Sequence, residues 1–353
     1  MAILHPQECY LLEQFSSAEH IAATRDAIIE FIDAHEAAYA RYQAKIPVRS
    51  RSEPLWKQAD VVWGNRVLPN IRTAREQYIN AYIYRTHDDP LAFRIGHTMN
   101  DFDRGISEFW DGWMTDEEQT RIVKAKSKAT RLDQQLSTTV SGMWEEGDLT
   151  YLGANYYFRL NELPKRLPRY ELDKNVRIEI GQLPTQAGIY LPDVEFAAAQ
   201  LLYPDPETNM LREARQGVRR SDWVNEKTGR RDYSWEEARW AETGWTLIRR
   251  VEGEYIDVPP EGFFPNGTPD ELYSWPEREK NYISREGGYI SAWSGEEATH
   301  TGDWSVFTGN EMKHVNLRKG ERLPYLPGEN NSQQRACWTL VKREDGGSVF
   351  RDK

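Results

Sequence analysis

The chain has 353 residues, 39% hydrophobic and 29% charged, with a formal net charge of −11 and a mean hydropathy of −0.77. Its 13 Trp, 18 Tyr and 11 Phe exclude a disordered chain, and no run approaches the ~20 apolar residues of a membrane helix. Acidity argues against nucleic acid, whose phosphates are held by clustered Lys and Arg, and suits a basic partner.

The first residues show neither the basic nor the apolar region of a signal peptide. Cys9 and Cys337 stand at opposite ends of the chain, which speaks against a disulfide framework and for a reducing cytoplasm. Helical patterning dominates up to about residue 147. Ser16 and Glu19 form a capping box, followed by Ile21, Ile28, Ile32, Tyr39 and Tyr42 on one stripe of a helix ending before Pro47. A second helix is expected from Ser52 and Pro54 through Trp56, Trp63 and Val67, kinked at Pro69 and ended near His87. Trp56 and Trp63, seven apart, read as core. A third helix is expected over 99–113. A fourth, capped by Thr115 and Glu118, runs over 116–144 to Gly147. Four such helices imply an antiparallel bundle.

Beyond Gly147, Gly, Pro and aromatics become dense and apolar runs short, so strands replace helices. Residues 176–180 alternate as a strand should. A helical insertion is expected over 207–217, then a charged loop over 219–231. This half carries a degenerate duplication. Gly181, Thr185, Gly188 and Tyr190 align with Gly295, Thr299, Gly302 and Trp304, and Gly244-Trp245-Thr246-Leu247 aligns with Cys337-Trp338-Thr339-Leu340. Each copy opens on a glycine turn and closes on a Trp-Thr-Leu strand. One copy is too small to bury its aromatics alone. The expected fold is therefore α+β: an N-terminal antiparallel helical bundle (1–147) followed by two tandem, degenerate β-rich units (148–353, copies at about 175–250 and 281–345).

Pro54-Leu55-Trp56-Lys57-Gln58-Ala59-Asp60-Val61-Val62-Trp63, with Val67-Leu68-Pro69-Asn70 after it, resembles the helical region of immunity proteins from bacterial polymorphic toxin and type VI secretion systems, in particular the immunity protein 71/72 group. The Gly181, Pro184, Gly188 and Tyr190 segment resembles that group's Gly-Gln-x-Cys-Pro-x-x-Gly-x-Trp unit, and Gly320-Glu321 with Pro324 its later Gly-Glu-x-x-Pro element. The chain departs from the unit at the Cys (Leu183 and Glu297), at Ala298 for Pro and at Tyr190 for Trp. The resemblance implies neutralisation of a toxin by direct binding, and it brings no catalytic residues.

Enzyme signatures are not apparent: there is no Gly-x-Ser-x-Gly, no phosphate-cradling Gly-x-x-x-x-Gly-Lys and no His-Glu-x-x-His. Glu296, Glu297 and His300 have the wrong order for a metal helix. Asp101, Asp103, Glu108 and Asp111 could pair for acid–base work but read more simply as a solvated helix face. His20 and His35 read as surface or boundary residues. No catalytic, cofactor or metal site is expected.

One segment invites a partner. Residues 251–279 hold eight acidic residues and one basic, Arg278, interleaved with aromatics and stiffened by Pro259, Pro260, Pro265, Pro269 and Pro276, which disfavour regular structure. Rigid aromatic anchors amid steering charges suit an interface. The candidate contact residues are Glu252, Glu254, Tyr255, Asp257, Glu261, Phe263, Phe264, Asp270, Glu271 and Trp275; a plain linker is the competing reading. The partner expected is a cognate, basic toxin domain rather than nucleic acid or a membrane, with a homo-oligomer left open. A carbohydrate- or peptide-binding module and a hydrolase using the Asp101–Asp111 carboxylates are the alternatives.

Overall fold

The structure, a computed structural model, describes every residue except 96–97, 107, 153–162, 206–210, 260, 286–288, 309–311, 329–331, 348 and 351–353. It is α+β, helices first and antiparallel sheets after them. The helices are α1 (Pro6–Phe15), α2 (Ala18–Ala44), α3 (Ala59–Val62), α4 (Leu68–Thr86), α5 (Thr98–Ile106) and α6 (Asp116–Ser141). No helix among the described residues is long and apolar enough to cross a membrane.

Local chemistry sets these boundaries. Ser17, not Ser16, caps α2 by accepting from the His20 N–H at 3.1 Å, while Ser16 closes α1 by donating to the Leu12 carbonyl at 2.7 Å. α6 has the expected Thr115–Glu118 capping box and ends at Gly142 rather than Gly147. Gly142 takes φ 67°, the left-handed conformation that a terminating glycine adopts without strain. The second helix starts only at Ala59. Residues Leu55–Lys57 form a single 3₁₀ turn, and Trp56 is 57% exposed, not core. Trp63 is buried, stacked on His35 at 5.7 Å and donating to the Trp110 carbonyl at 3.0 Å. The kink expected at Pro69 takes the form of a π-turn over Trp63–Val67. Proline lacks the N–H and its ring crowds the preceding turn, so the ladder widens before it and α4 restarts with Pro69 in its first turn.

The core around α2, α4 and α6 includes Ile21, Ile28, Ile32, Ile71, Tyr78 and Leu136. Inside it the buried Tyr78 hydroxyl donates to the buried Asp133 carboxylate. Tyr78→Phe should cost about 2 kcal/mol or more, because it strips a donor from a desolvated acid. Urea unfolding measures this, and an unchanged midpoint would show that the carboxylate does not depend on the phenol.

The strands are β1 (Arg166–Ile178), β2 (Gly188–Pro192), β3 (Gln200–Leu202), β4 (Ala214–Gln216), β5 (Arg219–Val224), β6 (Arg231–Glu236), β7 (Arg239–Ala241) and β8 (Trp245–Asp257). After short helical turns at Pro269–Tyr273 and Trp275–Arg278 come β9 (Ile283–Arg285), β10 (Ser291–Trp293), β11 (Gly302–Phe307), β12 (Met312–Leu317), β13 (Leu326–Pro327), β14 (Gln333–Gln334) and β15 (Cys337–Arg343). The strand expected at 176–180 is thus the end of a longer one. Of the helix expected over 207–217, residues 207–210 lie outside the described residues and 214–216 are strand β4.

Two compact units divide the chain: Met1–Arg250 with Val258–Glu279, and Val251–Asp257 with Lys280–Lys353. The expected division at 147 is not where the chain separates. Cys9, Leu12 and Phe15 of α1 share one core with Trp144, Tyr170, Leu191 and Ile248, so the helices and the first sheet bury each other's apolar faces.

The two β copies share their sheet order, β1-β8-β2-β3 in the first and β10-β15-β11-β12 in the second. Their registers agree with the sequence alignment: Tyr190 faces Leu247, and Trp304 faces Leu340. Tyr190 donates to the Gln186 carbonyl at 3.1 Å and Trp304 to the His300 carbonyl at 3.4 Å, again equivalent positions. At each opening turn, the side chain after the left-handed glycine (Gly181, Gly295) accepts from the backbone three residues before it: Gln182 from Glu179 N–H at 3.3 Å, Glu296 from Trp293 N–H at 2.8 Å. Each copy also carries a small ladder before its closing Trp, Ala214 opposite Ala241 and Leu326 opposite Gln334.

Candidate partner interface

The copies differ in what joins the two strands of that small ladder. In the second copy residues 328–332 span β13 to β14; in the first, residues 217–238 span β4 to β7 and fold into the β5–β6 hairpin. The stretch read from sequence as a charged loop is therefore an inserted hairpin, in register from Arg219 opposite Glu236 to Val224 opposite Arg231. Its turn is pinned from within: Asn225 Oδ1 accepts from the Lys227 and Thr228 N–H groups at 3.0 and 3.2 Å, and Gly229 takes φ 65°. An Arg219–Glu236 ion pair at 2.5 Å closes the base.

The hairpin leaves large rings in water. Trp235 is 64% exposed, Tyr233 52% and Trp223 44%. Directly opposed residues share a sheet face, so Tyr233 and Trp235 lie on one face with Arg220, whose guanidinium sits 4.3 Å over the Tyr233 ring. Trp223 lies on the other face, opposite Asp232. A fold rarely exposes such rings together unless something covers them.

The acidic segment behaves otherwise. Its residues 251–257 are the end of β8, pairing with β9, so regular structure does cross it. Glu254 there stands opposite Arg285, Tyr255 is half-buried, Asp257 accepts from the Ser284 hydroxyl at 3.1 Å, and Glu252 is exposed. The remainder belongs to the other compact unit. Phe263 and Trp275 are each 1% exposed, so they are core and not surface anchors. They enclose the buried His5 ring at centroid distances of 5.0 and 4.7 Å. Phe264 is half-buried against His5, and Glu271 accepts from Asn266 Nδ2 at 2.9 Å. Glu261 and Asp270 are exposed carboxylates. The ten candidates are thus divided between the two compact units, and two of them are core.

Burial perturbs the titration of two groups beside this cluster. It holds His5 down to about 3, with the Arg278 charge adding to the effect. It lifts Glu8 to about 8, although the Glu8 carboxylate accepts from the Ala199 N–H at 2.8 Å. Elsewhere, Asp103 is paired with Lys126 at 2.9 Å, Glu108 and Asp111 are exposed, and the Asp101 side chain lies outside those described. His35 is buried, against expectation, and contacts the Phe31 carbonyl at 3.0 Å; His20 lies 3.1 Å from the Leu132 carbonyl. No cluster of possible metal ligands occurs among the described residues.

Comparisons with protein-family models, with curated proteins and with solved structures each find no match. The hairpin had a signal in the sequence. Residues 231–236 place Tyr233 and Trp235 at period two and residues 219–224 carry Trp223, on either side of Asn225 and Gly229, a strand–turn–strand pattern hidden by the density of charge.

Proposed function

We propose that this chain is a cytoplasmic immunity protein that neutralises a basic toxin domain by direct occlusion, with the β5–β6 hairpin as the leading contact. One observation carries the reading: Trp223, Tyr233 and Trp235 stand exposed on an insertion that the second copy of the same unit does without. Trp, Tyr and Arg dominate interface energetics, and a pinned turn lowers the ordering cost of binding. The free thiols of Cys9 and Cys337 fit a reducing compartment. The same rings would also suit stacking on a sugar, so a carbohydrate-binding module remains the second reading. Catalysis has little to draw on, with Asp103 already paired to Lys126.

Co-expression with the C-terminal domain encoded by the gene immediately upstream tests the reading. The chain should restore growth. Replacing residues 217–238 by residues 328–332 should abolish protection without moving the melting temperature, and Trp235→Ala should weaken binding by about 30-fold. Full protection by the hairpin-less protein would remove the hairpin as the contact. Failure of the intact chain to protect, together with retention on immobilised glycans, would favour the sugar reading.

A further inference from the structure

We propose that the first β copy contains an open receptor pocket for an arginine side chain supplied by a partner, at the place that the second copy covers with its own Tyr325 and Arg335. The duplication supplies the template. The shared turn hydrogen bond matches Glu179 with Trp293 and Gln182 with Glu296. The shared ladders match Ala214 with Leu326 and Ala241 with Gln334; the next residues along, Glu213 with Tyr325 and Glu242 with Arg335, follow directly.

In the second copy Tyr325 and Arg335 lie over this place. The Arg335 guanidinium lies 5.2 Å over the Trp293 ring and reaches Glu296 at 3.1 Å. The Tyr325 phenol covers Gly295 so closely that a Cβ there would meet its oxygen at 2.6 Å. Beneath them Trp338 donates to the Pro324 carbonyl at 2.9 Å. The first copy keeps the floor, where Trp245 donates to the equivalent Arg212 carbonyl at 3.1 Å. It lacks the lid. A Cβ on Gly181 would meet nothing within 4 Å, and a cavity of about 230 Å³ opens there between Ile178, Gly181, Pro184, Leu202 and Trp245. That is room for about eight waters, or a side chain with a similar number of heavy atoms.

The rim sets the sign of the occupant. Glu213 and Glu242 stand exposed at the mouth, where the second copy has an aromatic and a cation, and neither has a paired cation among the described residues. The other charges nearby are committed. Glu179 is held by Arg177 at 2.7 Å, and the Arg212 guanidinium turns away to the Val140 carbonyl at 3.1 Å and the Ser141 carbonyl. An apolar floor beneath two carboxylates fits a methylene stem ending in a planar, weakly hydrated cation. Arginine has that form and lysine less so. This pocket lies in the scaffold of the first copy, and the inference does not depend on the hairpin.

Titration of the full chain with N-acetyl-arginine methylamide, followed through the Trp245 indole N–H resonance, tests it. Saturable shifts are expected, weaker for the lysine analogue and lost with the neutral citrulline isostere. Glu213→Gln with Glu242→Gln should lower affinity about tenfold. Glu213→Tyr with Glu242→Arg, which rebuilds the second copy's lid, should abolish binding at an unchanged melting temperature. The hairpin-less protein should bind the probe as the parent does. Equal binding of the citrulline isostere, unchanged affinity in the double glutamine variant, or no response at Trp245 would each overturn the pocket while leaving the hairpin reading intact.

Discussion

Trp275→Ala is expected to cost about 3–5 kcal/mol of stability, the range for removing a buried aromatic, and to act on folding before it acts on any partner. The ring is 1% exposed and sits within a cluster of His5 and Phe263, with ring centroids 4.7 and 5.1 Å from its own. Its loss would open a cavity beneath His5, whose neutral form burial favours, with the Arg278 charge adding to the effect. Chemical denaturation at neutral pH measures the effect. A midpoint close to that of the parent protein, with weakened toxin binding, would instead restore Trp275 to the surface.

Glu8→Gln is expected to stabilise the protein by about 3 kcal/mol near neutral pH and to do nothing below about pH 4. The Glu8 carboxyl is 4% exposed, and burial raises it from 4.5 to about 8, with Glu146 and Asp148 adding repulsion. Between those values the folded chain keeps a proton that the unfolded chain releases. Stability from this group is therefore whole below 4.5 and is lost as pH rises through about 8. Glutamine offers the Ala199 N–H the same acceptor without the charge. The histidines His5 and His20 have the opposite sign. Burial lowers His5 to about 3 and His20 to about 4, so their contribution is whole above 6.5 and is lost as pH falls toward those values. Urea midpoints of parent and variant across this range should converge in acid and part in base. Parallel curves would mean that water reaches Glu8.

The long helices could be read ahead because their signals are local: the Thr115–Glu118 box of α6 and the apolar stripe of α2 need no distant partner. The duplication was legible for a similar reason, since its glycine turns and Trp-Thr-Leu strands are short patterns that pair in one register. Burial is different. Phe263 and Trp275 are core because His5, near the other end of their unit, packs between them, and composition holds no trace of that meeting. The small ladders also escaped notice. Ala214-Arg215-Gln216 and Leu326-Pro327 share no residue, and only their backbone pairing makes them equivalent. Helix α1 was missed as well, its Cys9, Leu12 and Phe15 too few to mark a period and decisive only once a sheet lies beneath them.

The β4–β7 ladder holds the two ends of the inserted hairpin side by side, and the second copy pairs the equivalent ladder with only five residues between its strands. What is carried between those ends is an insertion on a frame whose second copy pairs without one. Hairpins of other lengths and sequences can therefore be exchanged at this junction with the cores untouched, as a cassette is changed in its holder. With the hairpin as the proposed contact, a chain built this way can follow a changing adversary by altering one short stretch of DNA. Transplanting the 217–238 segment into a related scaffold should carry its target along.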